Sequence, residues 1–354
     1  MSDLRILESI TSSKLGGADV VVVGLCRSLA QMGAHVQIFC PSGRPVARLA
    51  AAHGIENVSW KTHGKVDPVT VVRLARLMRK SRAHVIHTHL STASLLGALA
   101  AKLAARPSVA HVHGMNSALC FRYSTVVVAV SEAVKRHLCA QGLDEKKVHV
   151  VHNGVDITEF RPLDAADRKL RFVRSAEAPL FAVLGRLSSE KGQRVALEAM
   201  PILLRDYPEA RLLIVGEGAD SQTLKTTANS LGISKSVEFT GFIPDVRDMM
   251  IASDAVIVPS LKEGFGLVAI EAMAVARPVV AAAVGGLDEV VVHGETGMIV
   301  PPNDPYALAQ ALKDLAGDRA LAERMGRRGR ERVEDCFELG KQTRLLLSIL
   351  QETI

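Results

Sequence analysis

Two carboxylates, Glu263 and Glu271, bracket the stretch Glu-Gly-Phe-Gly-Leu-Val-Ala-Ile-Glu. A strand-like run, Asp254 to Ser260, leads into it, and a helix-like run, Phe265 to Ala276, carries its second half. Glycine-bearing turns from strand to helix aim backbone N–H groups outward, where they hold an anion or a sugar hydroxyl. In a helix, eight residues rise roughly 12 Å, comparable with the distance from sugar to ribose in an extended nucleotide-sugar. The same pair also reads as acidic residues on a solvated helix face, so the rest of the chain must decide. A second loop, Gly185-Arg186-Leu187-Ser188-Ser189-Glu190-Lys191-Gly192, offers two cations between glycines. Arg presents a bidentate fork and Lys a point charge, which together suit a diphosphate. An exposed basic loop is the alternative.

The elements that must position these residues follow an α/β alternation. Leu4 to Ile10 reads as a strand, followed by Thr11 to Gly17, a helix pattern from Ala18 to Met32 that stops at Gly33, and a strand from His35 to Phe39. Strand, Gly-rich loop, helix and strand open a doubly wound domain, and Gly16-Gly17 stands where such sheets bind ligands. Val148 to Asp156 closes this first part on an Asn-Gly turn. A charged, weakly patterned stretch to Pro179 is the linker candidate. From Leu180 the alternation restarts, with Leu180 to Leu184, Arg211 to Val215, Val237 to Thr240 and Pro278 to Ala282 as further strands. Two domains are expected, residues 1–160 and 161–336, with a last helix from about Phe337.

Composition narrows the function. The chain of 354 residues is 48% apolar and 23% charged, a globular balance with room for two cores. Residues 1–160 carry 19 Lys+Arg against 10 Asp+Glu, and eleven of the twelve histidines. Residues 161–354 carry 24 against 27, so the two halves are expected to meet different partners. Three Tyr and one Trp argue against a stacking surface for single-stranded nucleic acid. No uncharged apolar run is long enough to span a bilayer, and no signal-peptide layout opens the chain, so a cytoplasmic location is expected. Five scattered cysteines without a CxxC fit reduced thiols.

Three further features stand out in the first part. Val69 to Arg82 is an amphipathic basic pattern, with Val71, Leu74, Ala75 and Met78 on one face and Arg73, Arg76, Arg79, Lys80 and Arg82 supplying charge. It reads as a surface helix, or as one that touches anionic lipid headgroups through Arg73, Arg76 and Lys80. His87-Thr88-His89 and His111-Val112-His113 each end a strand, and alternate strand residues share a face. Four imidazoles could hold a metal, but neither an acidic ligand cluster nor a Cys set stands near them in sequence, so none is expected. A dinucleotide-binding enzyme would need G-x-G-x-x-G, and Gly216-Glu217-Gly218 lacks the third glycine.

Taken together, nearly the whole chain resembles the retaining glycosyltransferases of the GT-B kind and is similar to family 4, the group 1 glycosyltransferases. The resemblance rests on Gly16-Gly17, His111-Val112-His113-Gly114, His152-Asn153-Gly154-Val155-Asp156, Gly185-Arg186-Leu187 with Glu190-Lys191-Gly192, Pro259-Ser260 leading into Glu263 to Glu271, Gly285-Gly286 with Glu289, and Gly294 to Gly297. It implies two Rossmann-like α/β domains facing a central cleft, the first binding acceptor and the second the nucleotide-sugar donor, with the last helix crossing back to the first. By the same resemblance Glu263 would hold the donor sugar, beside the backbone of Gly264, Phe265, Gly266 and Leu267, and Glu271 would hold the ribose. Arg186 and Lys191 would neutralise the departing diphosphate, with Gly185 and Gly216 at the donor. His113 would lie near the donor sugar, and Gly16 and Gly17 near phosphates or acceptor.

The implied activity is metal-independent transfer with retention from a nucleotide-sugar, a UDP-sugar by family frequency, with no cofactor. The acceptor would be a sugar, a lipid-linked molecule or a small molecule, as in lipopolysaccharide, exopolysaccharide or glycolipid synthesis. A phosphorylase or sucrose-type synthase of the same fold, or a non-catalytic sugar-nucleotide binder, are the competing readings. Two positions depart from the family pattern: Asp288 where Pro is frequent, and Ala276 where Gly is common.

Overall fold

The computed structural model describes residues 4–12, 16–64, 66–162, 169–173, 175 and 177–354. Part of the Thr11–Gly17 loop and part of the expected linker therefore lie outside the described residues. The chain divides into two compact units: residues to Gly154 together with Leu339–Ile354, and Val155–Glu338. The break falls at Gly154/Val155 rather than after residue 160, for a local reason. Val155 bridges to Glu338, and the Arg330 guanidinium donates to the carbonyls of Phe160 and Ile157, so this segment is built into the second unit.

The first unit is a parallel sheet of seven strands: β1 (Arg5–Ile10), β2 (His35–Pro41), β3 (Glu56–Trp60), β4 (Val85–His89), β5 (Ser108–Val112), β6 (Val126–Ala129) and β7 (Val148–Val150). Their spatial order is β3-β2-β1-β4-β5-β6-β7. Helices α1 (Gly17–Gln31), α2 (Pro45–Ala52), α3 (Pro68–Lys80), α4 (Ser91–Ala104) and α5 (Glu132–Ala140) connect them. Helices cover both faces, which is why the central strands read as nearly unbroken apolar runs and not as alternation. Leu7, Phe39, Leu74, Met78 and Leu96 fill one side, and Ile6, Leu25, Leu29, Val85 and Val109 another.

The last helix of the chain also belongs to this unit, where its Leu346, Ile349 and Leu350 are buried against Leu4, Ile6 and Leu25. Burying each such side chain stabilises by about 1.5–3 kcal/mol, which anchors the helix. Gly154 permits its approach, because a Cβ there would stand 2.5 Å from Leu339 Cα. The Asn-Gly signal thus marks a close backbone contact.

The second unit repeats the design with β8 (Leu180–Leu184), β9 (Arg211–Val215), β10 (Val237–Gly241), β11 (Ala255–Val258), β12 (Val279–Ala282) and β13 (Gly297–Val300), ordered β10-β9-β8-β11-β12-β13. Its helices are α6 (Gln193–Leu203), α7 (Ser221–Ser230), α8 (Arg247–Ala252), α9 (Leu267–Ala274), α10 (Leu287–Val290), α11 (Pro305–Gly317) and α12 (Arg319–Arg332), and α13 (Leu339–Glu352) is the helix that returns to the first unit. One core runs through Phe181, Leu197, Met200, Leu212, Ile214 and Leu312. In both sheets the strand order reverses once, at β1/β4 and at β8/β11, and each reversal opens a crevice beyond the carboxyl ends of those strands.

Helix α9 starts two residues later than the pattern suggested, because Gly266, at φ 108°, is its N-cap. It ends in a Schellman arrangement: Ala276 N–H reaches Met273 O at 2.9 Å and Arg277 N–H reaches Ala272 O at 2.9 Å. The residue that turns the chain is Ala276, at φ 57°, where a Cβ is crowded and glycine is not. Ala276→Gly should therefore stabilise the protein by about 1 kcal/mol, seen as a higher urea midpoint at unchanged slope. A lower midpoint would show that the strain is relieved elsewhere.

Candidate active site

The β8/β11 reversal gathers the residues expected for a donor. The loop after β8 begins at Gly185 (φ 131°), whose N–H donates to Val215 O, and its course is held by Gln193 Nε2 donating to Arg186 O at 2.9 Å. Gln193 is buried, and nothing in the sequence pattern singled it out. The loop after β11 is tied to the first by Leu261 N–H donating to Glu190 O at 2.8 Å. Glycines allow the backbones to touch: a Cβ at Gly192 would lie 1.9 Å from Pro259 O, one at Gly216 2.1 Å from Gly185 O, and one at Gly286 2.5 Å from Gly264 O. Each glycine of the set joins two neighbouring loops of one sheet edge.

On this frame Lys191 Nζ meets Glu263 Oε2 at 2.6 Å, and Ser260 Oγ donates to the same oxygen at 3.1 Å. The two groups expected to hold diphosphate and sugar are thus in direct contact, one from each side of the reversal. Both keep an open side, with the lysine side chain 31% and the glutamate 14% exposed. Arg186 is exposed on the same loop, 3.8 Å from Glu190. Gly264, Phe265 and Gly266 are buried, and the Phe265 ring packs edge-on against Phe337, so only backbone at this position can face a ligand. Leu267 opens α9, whose first N–H groups lack partners within the helix.

Glu271 is half-buried on α9, and its carboxylate makes no hydrogen bond among the described residues. Burial alone pushes it up to about 7. A carboxyl group with no donors supplied by the protein is suited to accept hydroxyl protons from a ligand. Asp288 is exposed.

In the first unit, Gly16 is the N-cap of α1 and its N–H donates to Asp19 Oδ2 at 2.9 Å, while Gly17 is the first helical residue. Asp19 is buried, also accepts from Ser12 Oγ, and was not anticipated. The histidines of β4 and of the β5 end gather around an acidic residue after all. Glu8 of β1 lies 3.0 Å from His87 Nδ1 and 2.9 Å from His89 Nε2. His87, His89 and His111 bring one ring nitrogen each within 4.8 Å, and Glu8 is the carboxylate that their sequence surroundings did not reveal. The strand register makes this pairing invisible along the chain: Glu8 pairs with His87 across β1 and β4 although 79 residues separate them.

His113 lies just past β5 and is brought down to about 4 by burial, then by His87, with Glu8 opposing. His89 and His111 are held well below the usual imidazole range, again chiefly by burial. An imidazole that stays neutral when folded but charges when unfolded loses stability as acid is added. For His113 the unfolded chain binds more protons between about 4 and 6.5, so its contribution is complete above 6.5 and declines as pH falls toward 4. Glu271 works in the opposite sense, from 4.5 to about 7. The melting temperature should accordingly fall from pH 6.5 to pH 4 less steeply in His113→Gln than in the parent chain; equal slopes would show that His113 is not held neutral.

Known proteins resemble this chain in sequence and in fold. The family model for group 1 glycosyl transferases matches residues 167–332, and that for glycosyltransferase family 4 matches residues 15–159. A D-inositol 3-phosphate glycosyltransferase from Streptomyces avermitilis is 32% identical over 91% of this chain and 80% of its own length. Anabaena Alr3699/HepE, solved in complex with UDP-glucose, has the same fold, with a TM-score of 0.89 at 23% identity over 99% of this chain and all of that one. Sucrose-phosphate synthase from Thermosynechococcus elongatus matches with a TM-score of 0.85 at 24% identity, over 98% of this chain and 99% of that one. With a GT-B α/β architecture, both family models and a relative of this coverage, the chain belongs to the group 1, family 4 glycosyltransferases.

Proposed function

We propose that the protein is a retaining glycosyltransferase that moves a sugar from a UDP-sugar to an acceptor hydroxyl without a metal. The observation that carries this reading is the Lys191–Glu263 contact at the β8/β11 reversal, with Glu271, whose carboxylate has no partner among the described residues, on the adjoining helix. Breaking the anomeric bond builds negative charge on the diphosphate, which Lys191, Arg186 and the α9 N-terminus would stabilise. Positive charge builds on the sugar, whose hydroxyls Glu263 would hold. Attack on the same face, with the leaving phosphate oxygen taking the acceptor's proton, accounts for retention, and the absence of Asp-x-Asp in the sequence fits chemistry without a metal. His113, Gly16 and Gly17 are assigned to the sugar and to phosphates or acceptor. The UDP-glucose complex of Anabaena HepE, a protein of the same fold, supports the choice of nucleotide.

A phosphorylated or lipid-linked acceptor suits the basic first 160 residues, and an inositol phosphate is the acceptor named for the Streptomyces relative. Helix α3 favours a peripheral place at an anionic membrane. At 100° per residue its Val69, Val72, Arg73, Arg76 and Lys80 fall on one side, opposite buried Leu74, Ala75 and Met78. Val69 and Val72 are 60% and 39% exposed, so this side pairs apolar groups with cations. Among the described residues no helix is long and apolar enough to cross a membrane.

Calorimetric titration with UDP in buffers of different ionisation enthalpy tests the donor site. Near pH 6 Glu271 should be largely protonated, and ribose hydroxyls should draw it to the carboxylate, releasing up to about one proton on binding. Glu271→Gln should bind at least tenfold more weakly and release none. No binding of UDP or of any UDP-hexose would overturn the reading, and binding without slow release of UDP from the bound sugar-nucleotide would leave a non-catalytic binder. For the membrane face, replacing Arg73, Arg76 and Lys80 with Gln should abolish co-sedimentation with phosphatidylglycerol vesicles, whereas unchanged co-sedimentation returns α3 to an ordinary surface helix.

A further inference from the structure

The cluster around Glu8 has a donor–acceptor order that can be worked out atom by atom. A carboxylate has only lone pairs to offer, so the two rings that face it must each present an N–H. His87 does so from Nδ1 at 3.0 Å and His89 from Nε2 at 2.9 Å. Burial holds His89 and His113 neutral, and a neutral imidazole carries one N–H, which leaves His89 Nδ1 as a bare acceptor. His113 Nε2 lies 2.9 Å from it and must be the donor, so His113 ends in a bare nitrogen, Nδ1. On the other arm, His111 Nδ1 lies 3.3 Å from His87 Nε2.

The two outer rings differ in what surrounds them. Among the described residues His111 Nε2 is buried without a partner, which a lone pair tolerates better than an N–H does. His113 is only half-buried, and its Nδ1 has no partner among the described residues. Glu8, His87, His89 and His111 are all sealed from solvent, so the order cannot be rearranged by water. Among the described residues Cys26 of α1 is also a titratable neighbour, its thiol pushed up by burial and then by the charge of Glu8. It supplies no cation that would compete for the carboxylate.

We propose that Glu8 is a positioning residue which, through His89, locks His113 in the Nε2–H tautomer and so turns its open Nδ1 into an obligatory hydrogen-bond acceptor. This rests on the assignment of His113 to the sugar and deepens it. A bare imidazole nitrogen accepts from a hydroxyl and repels a carboxylate or phosphate oxygen. On that assignment the group facing His113 is a sugar hydroxyl and not a carboxylate, so the class of sugar is one that is neutral at that position rather than a uronate. The pull of burial on His113 away from its cationic form acts in the same direction.

The full chain, labelled with 15N-histidine and free of nucleotide, reads the tautomers directly by long-range 15N–1H correlation at pH 7. His113 should appear neutral with its proton on Nε2. An Nδ1–H or a cationic His113 would overturn the proposal whatever the protein's activity, and needs no variant to fold. In Glu8→Gln the amide offers one donor and one acceptor, so the Nδ1–H form of His113 should become populated. Turnover of a UDP-hexose should then fall at least tenfold in kcat, with UDP affinity within twofold of the parent. A fall in kcat with an unchanged tautomer would show a structural role only and sink the proposal, as would a shifted tautomer with unchanged kcat. A parent chain that neither binds nor turns over any nucleotide-sugar, yet shows the Nε2–H tautomer, would fault the functional reading and leave the network's order standing.

Discussion

The second unit depends on one constraint: the loops after β8 and β11 must stay close enough for Lys191 to reach Glu263. The ion pair does not achieve this by itself, since a partly exposed pair contributes little to stability. The work is done by backbone. Leu261 N–H bonds to Glu190 O, Gln193 holds Arg186 O, and glycines at 192, 216 and 286 let main chains approach where a Cβ would collide. A cation and a carboxylate are then held side by side, each with an open flank, at the reversal of strand order. Pre-placement of this kind lets charge be met where it develops without moving the protein.

Polar groups in the first unit are handled differently. Its clustered histidines, buried except for half-buried His113, meet one another ring nitrogen to ring nitrogen, with a sealed carboxylate at the origin. Burial keeps the outer rings neutral and the carboxylate, through His89, sets which nitrogen of His113 carries the proton. The cost is sensitivity to acid, because each imidazole that stays neutral in the folded chain takes up a proton readily once unfolded. A buried polar network of this sort is stable only when nearly every member is paired, and among the described residues one buried ring nitrogen, on His111, is left over.

Much of the architecture was legible. Parallel strands covered on both faces are apolar throughout, so Leu180 to Leu184, Arg211 to Val215 and Asp254 to Ser260 stood out as runs close to the observed β8, β9 and β11. The Gly-flanked loops could be placed at strand ends, and with them Arg186, Lys191 and Glu263. Helix limits were less legible, since Gly266, inside the helix-like run expected from Phe265, serves as the N-cap. The domain limit moved because Arg330, far along the chain, captures the carbonyls of Ile157 and Phe160. Ala276 was visible as a departure from pattern, while its left-handed backbone was not.

What the sequence determined by itself was local: which runs are strands, which loops carry charge, and the order of motifs that marks the family. Those depend on side-chain type and spacing over a few residues. What tertiary structure alone decided was pairing across the sheet. Glu8 was an acidic residue inside an apolar run until β1 and β4 came into register and set it against His87 and His89. Likewise Lys191 and Glu263, 72 residues apart, became one group only because three crossovers, by way of β9 and β10, return the chain to the strand adjacent to β8. Register and crossover are properties of the whole fold, so no window of sequence contains them.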